Sequence, residues 1–232
     1  MDRSLETVDV GYAGALGSAE QRNRVLRNTY WLLALSMVPT VLGAWIGVTT
    51  GAMATLGAGM SFLVFMGGAY AFIFAIEKTK NSAAGVPVLL GFTFFMGLML
   101  SRLIGFVLGF SNGTSLIMVA FAGTGVSFLG MAALSTIIKR DISTMGKFLF
   151  VGAVMLLVGL IANIWLQSSA LFVTIAVLMV GIFSAFMVYH LKRVRDGLET
   201  NYISATLNLY LDLFNVFQAL LSILGFAGGN RN

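Results

Sequence analysis

The chain has 232 residues, of which 58% are hydrophobic and only 10% charged, with a mean hydropathy of +0.93 and a formal net charge of +5. About a quarter of the residues of a soluble domain are charged, so this composition excludes an ordinary water-soluble enzyme or binding domain and defines a polytopic membrane protein. The absence of cysteine excludes disulfides and thiolate chemistry as well.

Residues 1–28 are polar and of mixed charge, and end in the basic run Arg22, Arg24, Arg27 immediately before an apolar stretch. They read as a cytoplasmic lead-in. Asp2, Glu6 and Asp9 make the start too acidic for a secretory signal, and no short apolar core with a small-residue cleavage site follows, so the first span is expected to stay uncleaved. Apolar runs then follow at 29–49, 53–76, 86–109, 114–138, 148–167, 169–191 and 203–226. A helix rises about 1.5 Å per residue and needs roughly 20 residues to cross the hydrocarbon core, so each run is long enough. One all-α membrane domain of seven transmembrane helices over 29–226 is expected, with a short tail at 227–232. No internal repeat supports an inverted-repeat transporter.

Three of the connections carry charge: Glu77 to Gly85, Lys139 to Lys147 and Lys192 to Glu199. Together with the lead-in they hold twelve of the fourteen Lys and Arg residues; Arg102 lies inside the third span and Arg231 in the tail. By the positive-inside rule the N-terminus is cytoplasmic and, with seven spans, the C-terminus is outside. The high basicity is therefore a topology signal. Spread over four short segments beside the membrane, it does not form a nucleic-acid surface, and no nucleic-acid partner is expected. Within the spans, Gly43 and Gly47, and Gly105 and Gly109, place small residues four apart, where helices can approach closely. Pro39 and Pro87 are tolerated as a kink and a first-turn proline.

Little in the chain suggests catalysis. A single histidine and no cysteine make a transition-metal site improbable, and there is no phosphate-binding glycine loop and no His-Glu-x-x-His helix. No serine stands in a glycine-flanked nucleophile turn, and no lysine in the seventh span could carry a retinal Schiff base. Neither enzymatic activity nor a resident cofactor is expected. The intramembrane ionisable groups remain: Asp212 in the seventh span, His190 at the cytoplasmic end of the sixth, Arg102 in the third and Glu77 at the end of the second. A carboxylate at the centre of a spanning helix costs about 2.5–3.5 kcal/mol on insertion scales and survives where it faces protein or trapped water. Asn208, Asp212, Asn215, Ala219 and Ser222 recur at spacings of four and three, drawing one polar and small stripe down a helix face. His190 and Asp212 lie eleven residues either side of position 201, so a turn there brings them to similar depth on antiparallel helices. Arg102 is close enough to the outer end of its span to snorkel.

The run Glu199-Thr-Asn-Tyr-Ile-Ser-Ala-Thr-Leu-Asn-Leu-Tyr-Leu-Asp-Leu-Phe-Asn-Val-Phe-Gln-Ala-Leu-Leu-Ser-Ile-Leu-Gly-Phe226 resembles the C-terminal signature of the Bax inhibitor-1 family in its bacterial YccA-like branch. Val25-Leu-Arg-Asn-Thr-Tyr-Trp-Leu-Leu33 and Ala162-Asn-Ile-Trp-Leu-Gln167 are similar to that branch too. The resemblance implies a bacterial inner-membrane protein with a periplasmic C-terminus, whose last helix is central and surrounded by the other six. It also implies one of two activities. The first is a pH-sensitive calcium leak through a pair of carboxylates in the last two spans, with Asp212, His190, Asn208, Asn215 and Glu77 as candidate pathway residues and calcium as the transported ion. The second is modulation of a membrane-anchored ATP-dependent protease of the FtsH type, with no conduction. Asp212 falls on the second carboxylate of the implied pair, but position 190 holds histidine where the first should be. Two carboxylates share a proton because both cannot easily ionise, whereas a histidine would instead favour an ionised partner. A calcium site built on Asp212 with Asn208 and Asn215 would be weaker than one with two carboxylates.

These charges set a topology test. A reporter fused to the C-terminus should read as external and one in the 77–85 loop as cytoplasmic; an internal C-terminus would remove the seven-span reading.

Overall fold

The computed structural model describes residues 3–53, 55–142 and 144–228, with residues 3–18 and 58 described by backbone alone. Seven helices account for nearly all of them: α1 Arg3–Thr50, α2 Ala58–Thr79, α3 Gly85–Leu108, α4 Gly113–Ile137, α5 Met145–Leu166, α6 Ser169–Arg195 and α7 Tyr202–Gly228. All seven are long and apolar enough to cross a membrane, and no strand occurs among the described residues. Arg231 and most of the 227–232 tail lie outside the described residues.

The lead-in is itself helical: α1 begins at Arg3 and runs through the basic cluster into the first span without a break, with no proline before Pro39. One boundary differs from the sequence reading. The second helix starts at Ala58, five residues later than the apolar run. Gly51, with φ of +65°, turns the chain out of α1, and the connection 51–57 is apolar in composition while being a loop, so hydropathy alone cannot separate the two. At the other tight turn, the Asn163 side chain receives the Ser168 N–H at 3.0 Å, and the Ser168 hydroxyl caps α6 by accepting from the Leu171 N–H at 3.2 Å.

The last helix is the most buried of the seven and packs against α1, α2, α3, α4 and α6. In place of the six neighbours expected, it has five: α5 packs along α6 alone, through Leu156 against Ile175 and Met179. The main core joins Leu32 and Leu33 of α1, Leu89, Phe92 and Met96 of α3, and Leu209, Tyr210 and Phe214 of α7. A polar contact lies inside it. The hydroxyl of fully buried Tyr210 lies 2.8 Å from Thr40 Oγ1, which itself donates to the Ser36 carbonyl at 2.8 Å, so Tyr210 is the donor between them. In hydrocarbon no water can take that proton, and the pair fixes α1 to α7. The outward surfaces carry Trp31, Trp45, Tyr70, Phe121, Phe148 and Trp165, all largely exposed, as lipid-facing helices require.

Both ends of α7 are tied. Asn201 Oδ1 accepts the N–H groups of Ile203 and Ser204 at 2.9 and 3.1 Å, while its Nδ2 donates to the Lys80 carbonyl at 3.0 Å and to Asn81 Oδ1 at 2.8 Å. The side chain thus caps the helix and holds the α6–α7 connection to the α2–α3 connection. At the far end Asn112 Nδ2 donates to the Gly228 carbonyl at 2.6 Å. The charged connections therefore gather on one face of the bundle.

The closest helix crossing is α1 on α3. A Cβ on Gly43 would overlap the Phe94 carbonyl oxygen, and one on Gly97 would overlap that of Thr40. Gly47 meets Ser101 in the same seam, whereas Gly105 has open space around it. The first expected glycine pair is thus a packing device, and Gly105 is not. Gly43→Val should destabilise the protein by about 2 kcal/mol or more, and Gly105→Ala by less than about 0.5 kcal/mol, measured as unfolding in one detergent.

Candidate functional site

The site is built by the α6–α7 hairpin. His190 stands five residues before the end of α6 and Asp212 ten residues after the start of α7, about 8 and 15 Å along their axes. That offset closes because side chains lean toward the N-terminus of their own helix. The helices are antiparallel, so His190 leans into the membrane while Asp212 leans toward the charged connections. The two meet with His190 Nδ1 at 2.7 Å from Asp212 Oδ2.

Asp212 is buried, its side chain 4% exposed, and His190 is 17% exposed. Whenever Asp212 is ionised, Nδ1 carries the hydrogen and donates it, and a protonated ring adds an opposite charge. The imidazole is held by its own helix: it stacks on Phe186, one turn earlier, with centroids 5.4 Å apart at 12°, and meets Tyr189 edge-on. Nearby cations are engaged elsewhere. Lys192 Nζ lies 2.8 Å from Asp196 Oδ2, and Arg193 lies over the Tyr189 ring with Nη1 3.1 Å from its hydroxyl. Tyr189 also packs on Gly146 at the start of α5. The packing of Phe186 and Tyr189 on the imidazole is not part of the sequence reading. The spacing of four between Phe186 and His190 was the available signal.

The structure brings together only part of the expected set. Asn208 shares the face of Asp212 one turn nearer the charged connections, half-buried, and its amide has no hydrogen-bond partner among the described residues. Asn215 donates Nδ2 back to the Leu211 carbonyl at 2.7 Å, so that amide is used within its own helix. Glu77 is not at the site. Its carboxylate pairs with Lys80 and stays exposed at the end of α2, because sequence position gave its depth without its direction around the helix. Ala219 continues the stripe into the cluster of Ile175 and Met179 on α6. Arg102 reaches the Leu56 carbonyl and Ser61 hydroxyl, near the outer face. For calcium, which takes six to eight oxygen ligands, Asp212 stands with a nitrogen partner, and among the described residues no three His, Asp or Glu side chains gather.

A family model described as inhibitor of apoptosis-promoting Bax1 matches residues 22–229. A membrane protein of Vibrio cholerae is 36% identical over 214 residues, covering 90% of this chain and 92% of its own. The Escherichia coli protein named modulator of FtsH protease YccA is 34% identical over 205 residues, covering 88% and 91%. The chain belongs to the Bax inhibitor-1 family, as a multi-pass membrane protein with bacterial relatives throughout its length.

Removing one partner from a buried pair leaves the other uncompensated, at a cost of about 3–5 kcal/mol. His190→Ala should therefore destabilise by about 3 kcal/mol, and His190→Asn, which keeps a donor near the Nδ1 position, by much less. Asp212→Asn should leave folding mostly intact. Unfolding midpoints of the single and double variants give the coupling, and additive effects would dissolve the pair.

Proposed function

We propose that this protein is an inner-membrane modulator of an FtsH-type ATP-dependent protease, acting in membrane-protein turnover, with the His190–Asp212 pair as a latch between its last two helices. The likeness to the E. coli protein of that name, over nearly the whole of both chains, carries the reading. The pair adds support from chemistry. An ionised Asp212 with a protonated His190 is neutral overall, so it offers a divalent cation no net attraction, and a cation must displace the imidazole to reach the carboxylate. A proton on Asp212, or one lost from His190, changes the charge of both partners' surroundings and weakens the hold of α6 on α7.

A second reading is a cation leak along the polar face of α7, and Asn208 favours it: an amide without a protein partner, one turn from a buried carboxylate, suits a site for water or an ion. The two separate in reconstitution. Purified FtsH-type protease, a membrane substrate and this protein in shared liposomes should show degradation changed at least twofold relative to liposomes without it, while calcium flux stays near that of empty liposomes. Strong calcium flux in the wild type with unchanged degradation would overturn the modulator reading. His190→Asp provides the internal control. Two carboxylates repel and a divalent cation relieves them, so calcium-dependent thermal stabilisation should appear in this variant and weaken again on acidification, as the pair takes up a proton. An equal response in wild type and variant would mean that position 190 does not govern calcium at Asp212.

A further inference from the structure

On the face opposite the charged connections, among the described residues, one cation stands without an anion. Arg102 lies six residues before the end of α3, about 9 Å along the axis, close enough for its long side chain to reach the headgroup layer. Its Nη1 donates to the Leu56 carbonyl at 3.3 Å and to Ser61 Oγ at 3.1 Å, both neutral, and among the described residues no carboxylate pairs with the guanidinium. The connections on this face, 51–57, 109–112 and 167–168, contain no charged residue.

Arg102 also lines a crevice of about 210 Å³ between α2, α3 and α7. Its lining is layered. Ser61, Arg102 and Gln218 form the outer layer, and Phe65, Met99 and Phe214, each three or four residues away on the same helices, lie one turn deeper. The Gln218 side-chain amide has no protein partner among the described residues. Polar donors outside and hydrocarbon within match an amphiphile with an anionic oxygen head and an alkyl tail. Arg is suited to such a head because its planar fork offers several donors to one phosphate.

We propose that this crevice binds a phospholipid of the leaflet opposite the charged connections, its phosphodiester on Arg102 and Gln218 and the first part of one acyl chain against Phe65, Met99 and Phe214. The volume is below the roughly 300–1,000 Å³ of pockets that enclose a drug-sized ligand, so it holds a segment of one chain and leaves the rest of the lipid in the bilayer.

The test uses the full-length protein in a neutral detergent, with lipid retention read by native mass spectrometry and thermal stabilisation read in parallel. The probes are phosphatidylglycerol, diacylglycerol with the same chains, and inorganic phosphate alone. Phosphatidylglycerol should bind at least about tenfold more tightly than diacylglycerol, as a charged hydrogen bond is lost in the latter, and inorganic phosphate should give no stabilisation. Arg102→Gln should lose about tenfold in phosphatidylglycerol binding. Met99→Trp, which fills the deeper layer and leaves the hydrogen bonds of Arg102 in place, should lose a similar factor, and it decides the matter if Arg102→Gln does not fold. Equal retention of the two lipids, stabilisation by inorganic phosphate alone, or unchanged binding in Met99→Trp would each overturn the proposal.

Discussion

One carboxylate in hydrocarbon sets the arrangement of the bundle. Asp212 cannot face lipid at an acceptable cost, so the helix that carries it must be enclosed, and the partner that holds it must come from a neighbour. His190 meets that need from α6, which fixes the two helices side by side and in register. On the opposite side of the same helix, Tyr210 reaches Thr40 of α1, and its ring lies among those of Phe92 and Phe214. The last helix is thus held between two polar contacts that water cannot replace. The glycine seam between α1 and α3 completes this wall of the enclosure by letting those two helices close on each other. Among the described residues α5 packs on α6 alone and so lies in a second layer.

The family relationship gives the histidine its interest. A pair of like charges is held together only by a shared proton or a cation, whereas a pair of opposite charges is held together by itself. The second kind makes a joint between helices, and the stacked ring of Phe186 with the edge-on ring of Tyr189 stiffens that joint by limiting how the imidazole can turn.

Hydropathy makes the seven spans legible because lipid imposes one rule on all of them, and antiparallel geometry makes the His190–Asp212 contact legible because a short turn links two depths close enough for the side chains to lean together. What could not be read followed from the same rule. The 51–57 connection is as apolar as a helix, so hydropathy does not distinguish its loop, which begins at Gly51 with a positive φ. Glu77 sits two residues from the end of α2, shallower than the pair, and its carboxylate turns outward to Lys80, a direction that sequence does not carry for a residue at a helix end. Tyr210 reads like any aromatic in an apolar run, since its hydroxyl finds its partners in Thr40 and the Thr93 carbonyl, 170 and 117 residues away. Asn208 and Asn215 share a face in sequence but differ in use, one without a side-chain partner among the described residues and the other bonded to its own helix.

Asn201 restricts how the last helix can move. Its carboxamide holds the first turn of α7 with one end and the α2–α3 connection with the other, so a slide of α7 by a single residue, about 1.5 Å, would break one set of bonds or drag that connection with it. Asn112 holds the Gly228 carbonyl at the other end of the same helix, so α7 is pinned at both faces of the membrane and the contacts of Asp212 and Tyr210 lie between two fixed points. The helix is therefore a strut and not a piston.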